Sequence, residues 1–446
     1  MERIIVKTTQ TTSIVILLIL MLSGCSVTPP DNNANLSALV ISQGTLSPDF
    51  SADVTSYSTW EQSTVTSVTV TPTAESTAAS ITVNGTEVAS GTPSGEITLA
   101  WGPNTITIEV KAEDGTTTMA YTLALYRALG LPKTGQTTSY ETGDDGDLQM
   151  GVVWPSTRFT DNGDGTITDN LTGLMWDRNG NRPGAARTWV QVLSDCNGLS
   201  LGGHSDWRLP NRKELMSLLN YEESDTADWL NNYPTHHFSG VLNNRYWPST
   251  TYAPNTSRAW SVYMGRGGLM SQVKTYNYYA LAVRGGQAGG EVNLPKTGQT
   301  TFYAAGDDGD MEKGLVWPNP RFTDNGDGTI TDKLTGLMWE QVPSGTTRTW
   351  TDSLIYTAGL ALAGYVDWRL PNIKELESLI NSGEADPATW LAGQGFINVL
   401  AGGYWSSTTY RYNTSLACIV YMDDGVDGSG IKTNSSYRVL AVRGGQ

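Results

Sequence analysis

At 446 residues the chain is too long for one ordinary core, and its formal charge of −16 excludes nucleic acid as a partner. Its 48 glycines and 19 prolines, with only 16% charged residues, favour short strands and many turns over long helices. Residues 25–130 hold 2 basic and 10 acidic side chains against 13 and 15 in residues 131–287, so the basic groups lie late in the chain.

Arg3 and Lys7 precede an apolar run, Ile14 to Leu22, that stops at Leu22-Ser23-Gly24-Cys25. A run this short cannot span a bilayer as a helix, whereas a secretory signal needs no more. Leu-Ser-Gly-Cys resembles a bacterial lipobox. The resemblance implies removal of residues 1–24 and a diacylglycerol on the Cys25 sulfur. With Ser26 rather than Asp next, it also implies an outer-membrane lipoprotein, surface-exposed or facing the periplasm. The membrane is then a partner through the lipid. Residues 25–34, with Pro29 and Pro30, read as an extended tether.

From residue 35 to 127 apolar and polar residues alternate between turn signals. Ile81-Thr82-Val83 meets Asn84-Gly85, the signature of a type I′ hairpin, before Thr86-Glu87-Val88. Ile106, Ile108 and Val110 alternate with polar neighbours, Asp114-Gly115 turns the chain, and Met119, Tyr121, Leu123 and Leu125 alternate again. Short strands with turns between them predict an all-β sandwich. Leu36-Ser37-Ala38-Leu39, the run from Gly44 to Phe50 and Ala112-Glu113-Asp114-Gly115 resemble the bacterial cadherin-like β-sandwich family. That likeness implies a spacer or adhesion module without chemistry of its own.

Residues 131–287 are then written again at 294–446, with 288–293 as a linker. Both copies open with L-P-K-T-G-Q-T-T and close with L-A-V-R-G-G-Q, so one whole domain is used twice. Positions that agree should carry the fold, and positions that differ mark where the copies do different work. Thr188 to Gln191 is a capping box ahead of an apolar stripe, Trp189, Val192, Leu193 and Cys196. Asn211 with Glu214, and Asn372 with Glu375, cap a second helix in each copy. The predicted fold class is multidomain, an all-β sandwich followed by two α+β domains.

The runs F-T-D-N-G-D-G-T-I-T-D from Phe159 and Phe322, T-G-L-M-W to Trp176 and Trp339, D-W-R-L-P-N from Asp206 and Asp367, and the closing A-V-R-G-G resemble the Lcl C-terminal domain family. That resemblance implies a bacterial surface domain associated with binding sulfated glycosaminoglycans. The W-R-L-P helix start and the R-G-G strand also resemble C-type-lectin-like folds of the formylglycine-generating type. The cysteines on which that enzyme activity depends have no counterpart here.

Tryptophan faces stack on sugars, yet 12 of the 15 tryptophans pair off between the copies, which points to core rather than ligand platform. The carboxylate-rich turns suggest calcium, the one candidate cofactor. Asp161, Asp164 and Asp169 would form its cage in the first copy and Asp324, Asp327 and Asp332 in the second. The neighbouring runs Asp144, Asp145, Asp147 and Asp307, Asp308, Asp310 offer a second such cage, and a plain hairpin turn is the competing reading. The three histidines, His204, His236 and His237, have no counterparts in the second copy, so no catalytic residues are assigned and no enzyme activity is expected. Cys196 and Cys418 read as two buried thiols, with a bridge between copies as the alternative. The copies differ most late in each domain. There Arg258, Arg266 and Lys274 would favour anionic sugars, whereas Asp423, Asp424 and Asp427 would disfavour them in the second copy, where Arg411 and Tyr412 also differ. Together these features predict a lipoprotein that presents two lectin-like domains for adhesion to a glycan or protein ligand, sulfated polysaccharides included. A periplasmic scaffold without small ligand is the alternative.

Overall fold

The computed structural model describes residues 29–232, 237–285 and 290–445; the expected signal sequence, Cys25 and His236 lie outside them. The sandwich carries a five-stranded sheet in the order Ser56–Glu61, Thr118–Arg127, Gly102–Lys111, Ser80–Val83, Thr86–Val88. Its first pair is parallel and the others antiparallel. Two short pairs, Leu36–Ile41 with Val70–Ala74 and Ser67–Val68 with Ile97–Thr98, complete it. Ile106, Ile108 and Val110 are buried, as the alternation requires. The turn between Val83 and Thr86 has positive φ at both Asn84 (48°) and Gly85 (79°), the type I′ geometry read from the sequence.

Each copy is mixed, with few and short helices on two antiparallel sheets. In the first copy one sheet orders Phe159–Asp161, Thr166–Asp169, Leu174–Asp177 and Val283–Gly285, so the last strand returns to close the first three. The other orders Arg245–Tyr246, Arg258–Tyr263 and Leu269–Val273. The second copy repeats both arrangements, ending with Val442–Arg443 against Leu337–Glu340. Helices Trp189–Asn197 and Arg212–Met216 start on the capping boxes of Thr188 and Asn211, and Ile373–Ser378 starts on that of Asn372. Trp176, Trp189, Trp247 and their counterparts Trp339, Trp350 and Trp405 are all at most 1% exposed, which makes them core. Arg158 and Asp169 form a buried ion pair at 2.6 Å beneath the hairpin, mirrored by Arg321 and Asp332 at 2.7 Å.

The segment that precedes each copy packs on the other copy. Leu129 N–H donates to Leu334 O (2.7 Å), and Val292 N–H donates to Leu171 O (2.8 Å). Gln136 exchanges two bonds with the Thr409 backbone, and Gln299 exchanges two with that of Thr251, all at 2.9 Å. Lys374 Nζ donates to Lys133 O, and Lys213 Nζ to Lys296 O. Each arm also stays on its own copy, through Trp154 Nε1 to Lys133 O and Trp317 Nε1 to Lys296 O. Contacts that recur with the partners exchanged define an isologous, two-fold-like pairing within one chain. The sandwich sits on the second copy, where Trp60 Nε1 donates to Lys333 O (2.6 Å) and Tyr126 Oη to Val316 O (3.0 Å).

A single copy is therefore incomplete. Expressed alone, residues 131–287 lose at least four of the exchanged bonds, each worth about 1 kcal/mol. The fragment is expected to dimerise or to melt about 10 °C below the two-copy chain, as read by sedimentation and calorimetry. A monomeric fragment that melts with the parent would contradict the exchange.

Candidate functional site between the two copies

The positions where the copies differ gather at their contact. Arg212 of the first copy stands where the second has Ile373, and Glu377 of the second stands where the first has Met216. Arg212 and Glu377 pair with each other across the seam, buried, with the guanidinium 4.4 Å over the Trp260 ring. Tyr252 packs edge-on to Trp260 at 5.0 Å and donates through Oη to Asp424 Oδ2 of the other copy at 2.9 Å. On this side the seam is filled. A side chain added at Gly425 would meet Ile380 and the Trp260 ring.

On the symmetry-related side Cys418 stands where the first copy has Trp260, and the space it leaves opens into a cavity of about 310 Å3. Tyr221, Arg245, Tyr263 and Arg266 of the first copy and Tyr410 and Asp427 of the second line it. Arg266 lies 4.0 Å over the Tyr412 ring, while Arg245 lies over Tyr263 and donates to Ser261 Oγ at 3.1 Å. Neither guanidinium has a carboxylate within ion-pair distance among the described residues. Asp427 is 8% exposed, and neither of its carboxyl oxygens meets a donor there. Burial first, and then the charge of Glu377, holds the Asp427 carboxyl well above the usual range.

A larger cleft of about 740 Å3 lies between the first copy and the arm of the second, lined by Thr172, Leu174, Arg208, Glu214, Leu294 and Lys313. Its counterpart in the second copy holds about 10 Å3, with Ser63 of the sandwich on its wall. Arg208 and Glu214 pair at 2.6 Å, and Asp206 pairs with Arg284 at 2.7 Å, so these charges already have partners.

Four of the residues expected to meet a ligand converge on the seam: Arg266 on Tyr412, Asp424 on Tyr252, and Arg411, whose Nε donates to Glu222 O. Their divergence builds the contact between copies rather than two separate sites. Arg258 instead donates to Ser271 within its own sheet, and Lys274 donates to Thr251 Oγ1 and lies 3.9 Å over the Trp189 ring. Asp423 sits in the turn after the strand Leu416–Tyr421.

The expected calcium cages do not assemble. Asp161 accepts from Gly163 N–H and pairs with Arg178, and Asp164 accepts from both the backbone N–H and the hydroxyl of Thr166. Asp324 and Asp327 close the same turns in the second copy, while Asp169 and Asp332 are taken by buried arginines. No group of three potential metal ligands occurs among the described residues. Asp144 and Asp307 cap short helices, and the buried Asp145 and Asp308 each accept two threonine hydroxyls, one from each copy. Cys196 and Cys418 are free, buried thiols in separate cores.

Sequence reasoning passed over Arg245, Tyr221, Tyr410 and the Arg212–Glu377 pair. The available signal was the mismatch of Arg212 with Ile373 and of Met216 with Glu377 inside otherwise matching helices.

Family models match the Lcl C-terminal domain at residues 165–284 and 328–443 and the cadherin-like beta sandwich domain at 36–128. A protein of Evansella cellulosilytica named "Putative membrane protein" is 48% identical over 96 residues, 22% of this chain. The match spans only 14% of that protein's length. Among the described residues no helix is long and apolar enough to cross a membrane.

Burial raises Asp145 and Asp308 to about 6 each, against the opposing effect of their threonine bonds. An acid raised on folding binds its proton more tightly in the folded state, so stability grows as pH falls from 7 towards 4, by on the order of 2 kcal/mol per site. Burial lowers Lys213 and Lys374 to about 7, so their cost grows as pH falls towards 7 and is nearly constant below it. Urea unfolding across this window should show the gain, and Asp145→Asn with Asp308→Asn should flatten it. A slope kept in full by the double variant would contradict the assignment.

Proposed function

The chain belongs to the Lcl C-terminal domain family, and we propose that it is a non-enzymatic cell-envelope lipoprotein that uses its two family domains as one adhesion unit. In this reading Cys25 carries the lipid that anchors the chain to the outer membrane, and the cadherin-like sandwich is the spacer. The paired domains, lectin-like in fold, meet a ligand outside the cell, with sulfated polysaccharides in its class.

The observation that carries the reading is the exchange of arms. It welds two copies into a single body and assembles copy-specific basic and aromatic side chains along one seam. Arg266 is exposed, stacked on Tyr412, and without a carboxylate partner among the described residues, which suits an anionic ligand. Arg258 lies on the same domain with part of its guanidinium committed to Ser271. The lipobox likeness supports the anchor, and the name of the Evansella relative is in keeping with a membrane association.

In the mature chain, Arg258→Ala with Arg266→Ala should weaken binding of a sulfated polysaccharide about tenfold, the size expected from losing one or two charge-assisted bonds. Titration at fixed salt reads the effect, and an unchanged affinity contradicts the surface named here.

Cys25→Ala should abolish incorporation of labelled palmitate, and protease added to intact cells should cleave the two-copy unit. Protection from the protease would favour the periplasmic scaffold instead.

A further inference from the structure

We propose that the first copy binds a free phenol, one small uncharged aromatic ring, in a pocket beside its helix Trp189–Asn197 that the second copy fills with Tyr356. This goes beyond the adhesion reading and does not depend on it.

The second copy shows the occupant. Tyr356 lies on the helix Trp350–Ala358, with the Arg348 guanidinium 4.0 Å over its ring and its hydroxyl 3.2 Å from Glu340 Oε1. The ring packs against a buried cluster that includes Trp350, Leu354 and Val439. In the first copy Asp195 stands for Tyr356, Ala280 for Val439 and Asp177 for Glu340, each of them smaller, while Arg187 matches Arg348. These four residues line a pocket of about 180 Å3, together with Arg182, Cys196 and others. An apolar cavity of about 150 Å3 holds one benzene, so the volume suits a single ring.

The charges at the pocket already have partners. Arg182, from a loop two residues longer than in the second copy, donates to both Asp177 oxygens, and Arg187 Nε lies 3.1 Å from Asp195 Oδ2. An anion or a cation would have to break one of these pairs, whereas a neutral ring disturbs neither. The side chains of Arg182, Arg187 and Asp195 are 38%, 40% and 42% exposed, so the mouth opens to solvent. Ala280, Ala282 and Cys196 are buried and make the inner surface apolar. Burial raises the Cys196 thiol well above its usual range, which keeps it a neutral contact for a ring.

With a ring in the place that Tyr356 takes, Arg187 meets its face as Arg348 meets Tyr356. The oxygen then points towards Asp177 and Arg182. Arg182 spends only Nε and Nη2 on Asp177, and its guanidinium has further N–H groups to donate to that oxygen.

The test uses the full mature chain and p-cresol, which is the tyrosine side chain as a free molecule. Equilibrium dialysis at up to about 5 mM resolves a Kd near or below a millimolar. Binding should saturate at a single p-cresol per chain. Asp195→Tyr, which puts the second copy's side chain at the matching position, should abolish it. Arg187→Ala removes the cation over the ring and should weaken binding about threefold, and 4-methylcyclohexanol, close in size but not aromatic, should bind at least about threefold more weakly than p-cresol.

Absence of saturable binding overturns the proposal, and so does undiminished binding by Asp195→Tyr. Equal binding of 4-methylcyclohexanol and p-cresol would reveal an apolar hole with no preference for a ring face and would also overturn it. Asp195 is on the surface, so Asp195→Tyr is expected to fold; should it not, undiminished affinity in Arg187→Ala would count against the pocket in its place.

Discussion

The two aspartates at the seam, Asp145 and Asp308, hold the rest of the molecule together. Each accepts a hydroxyl from its own arm, Thr134 or Thr297, and one from the other copy, Thr408 or Thr250. A carboxyl this deeply buried is costly unless its lone pairs are satisfied, and neither copy can supply both donors alone. The requirement is met only when the arms cross. Crossing brings Gln136 and Gln299 onto the opposite backbone, where each closes two further bonds. Two domains that might have hung from a linker are thereby locked as one.

Locking them makes the differences between copies consequential. In an assembly of identical chains a substitution at a two-fold contact appears twice, so an arginine meets the same surroundings on both sides. Here Arg212 occurs once and faces Glu377 once, while the matching positions hold Ile373 and Met216. At these positions one side of the seam is ionic and the other apolar. Removing one partner of such a buried pair leaves the other charge uncompensated, at a cost of about 3–5 kcal/mol. The pairing therefore fixes which copy takes which place, and a second first copy would put arginine against methionine.

Much of this was legible from local rules. The Asn84-Gly85 hairpin, the caps at Asn211 and Asn372, and the tryptophans shared between copies are short-range or pattern-based, and the structure follows them. The aspartate runs misled because turn closure, helix capping and metal binding all ask for carboxylates at close spacing. Only their partners decide, and Arg158 and Arg321 come from outside the runs. The arm exchange was not legible because T-G-Q-T-T reads the same whether it packs on its own copy or on the other. Gln136 and Thr409 lie 273 residues apart, and no local preference links them. The loop residues whose charge changes between copies were visible as differences, but their setting at an interface was not.

The unlike halves of the seam also carry different costs. Around Trp260 the space is filled and the acid at Glu377 has its arginine. Across the axis a cavity remains where Cys418 replaces the tryptophan, and two guanidiniums stand without carboxylates among the described residues. Unfilled volume within a packed contact is destabilising, and so is each unpaired buried polar group. Drift at a structural interface would be expected to scatter such defects over both sides. The buried polar atoms without partners do fall on both, with Arg212 Nε and Nη1, Trp260 Nε1 and Glu377 Oε1 on the filled side and the Asp427 carboxyl oxygens on the other. The filled side thus bears most of the unpaired buried polar atoms and the other side the void, so the two costs are divided across the seam rather than stacked on one face of it.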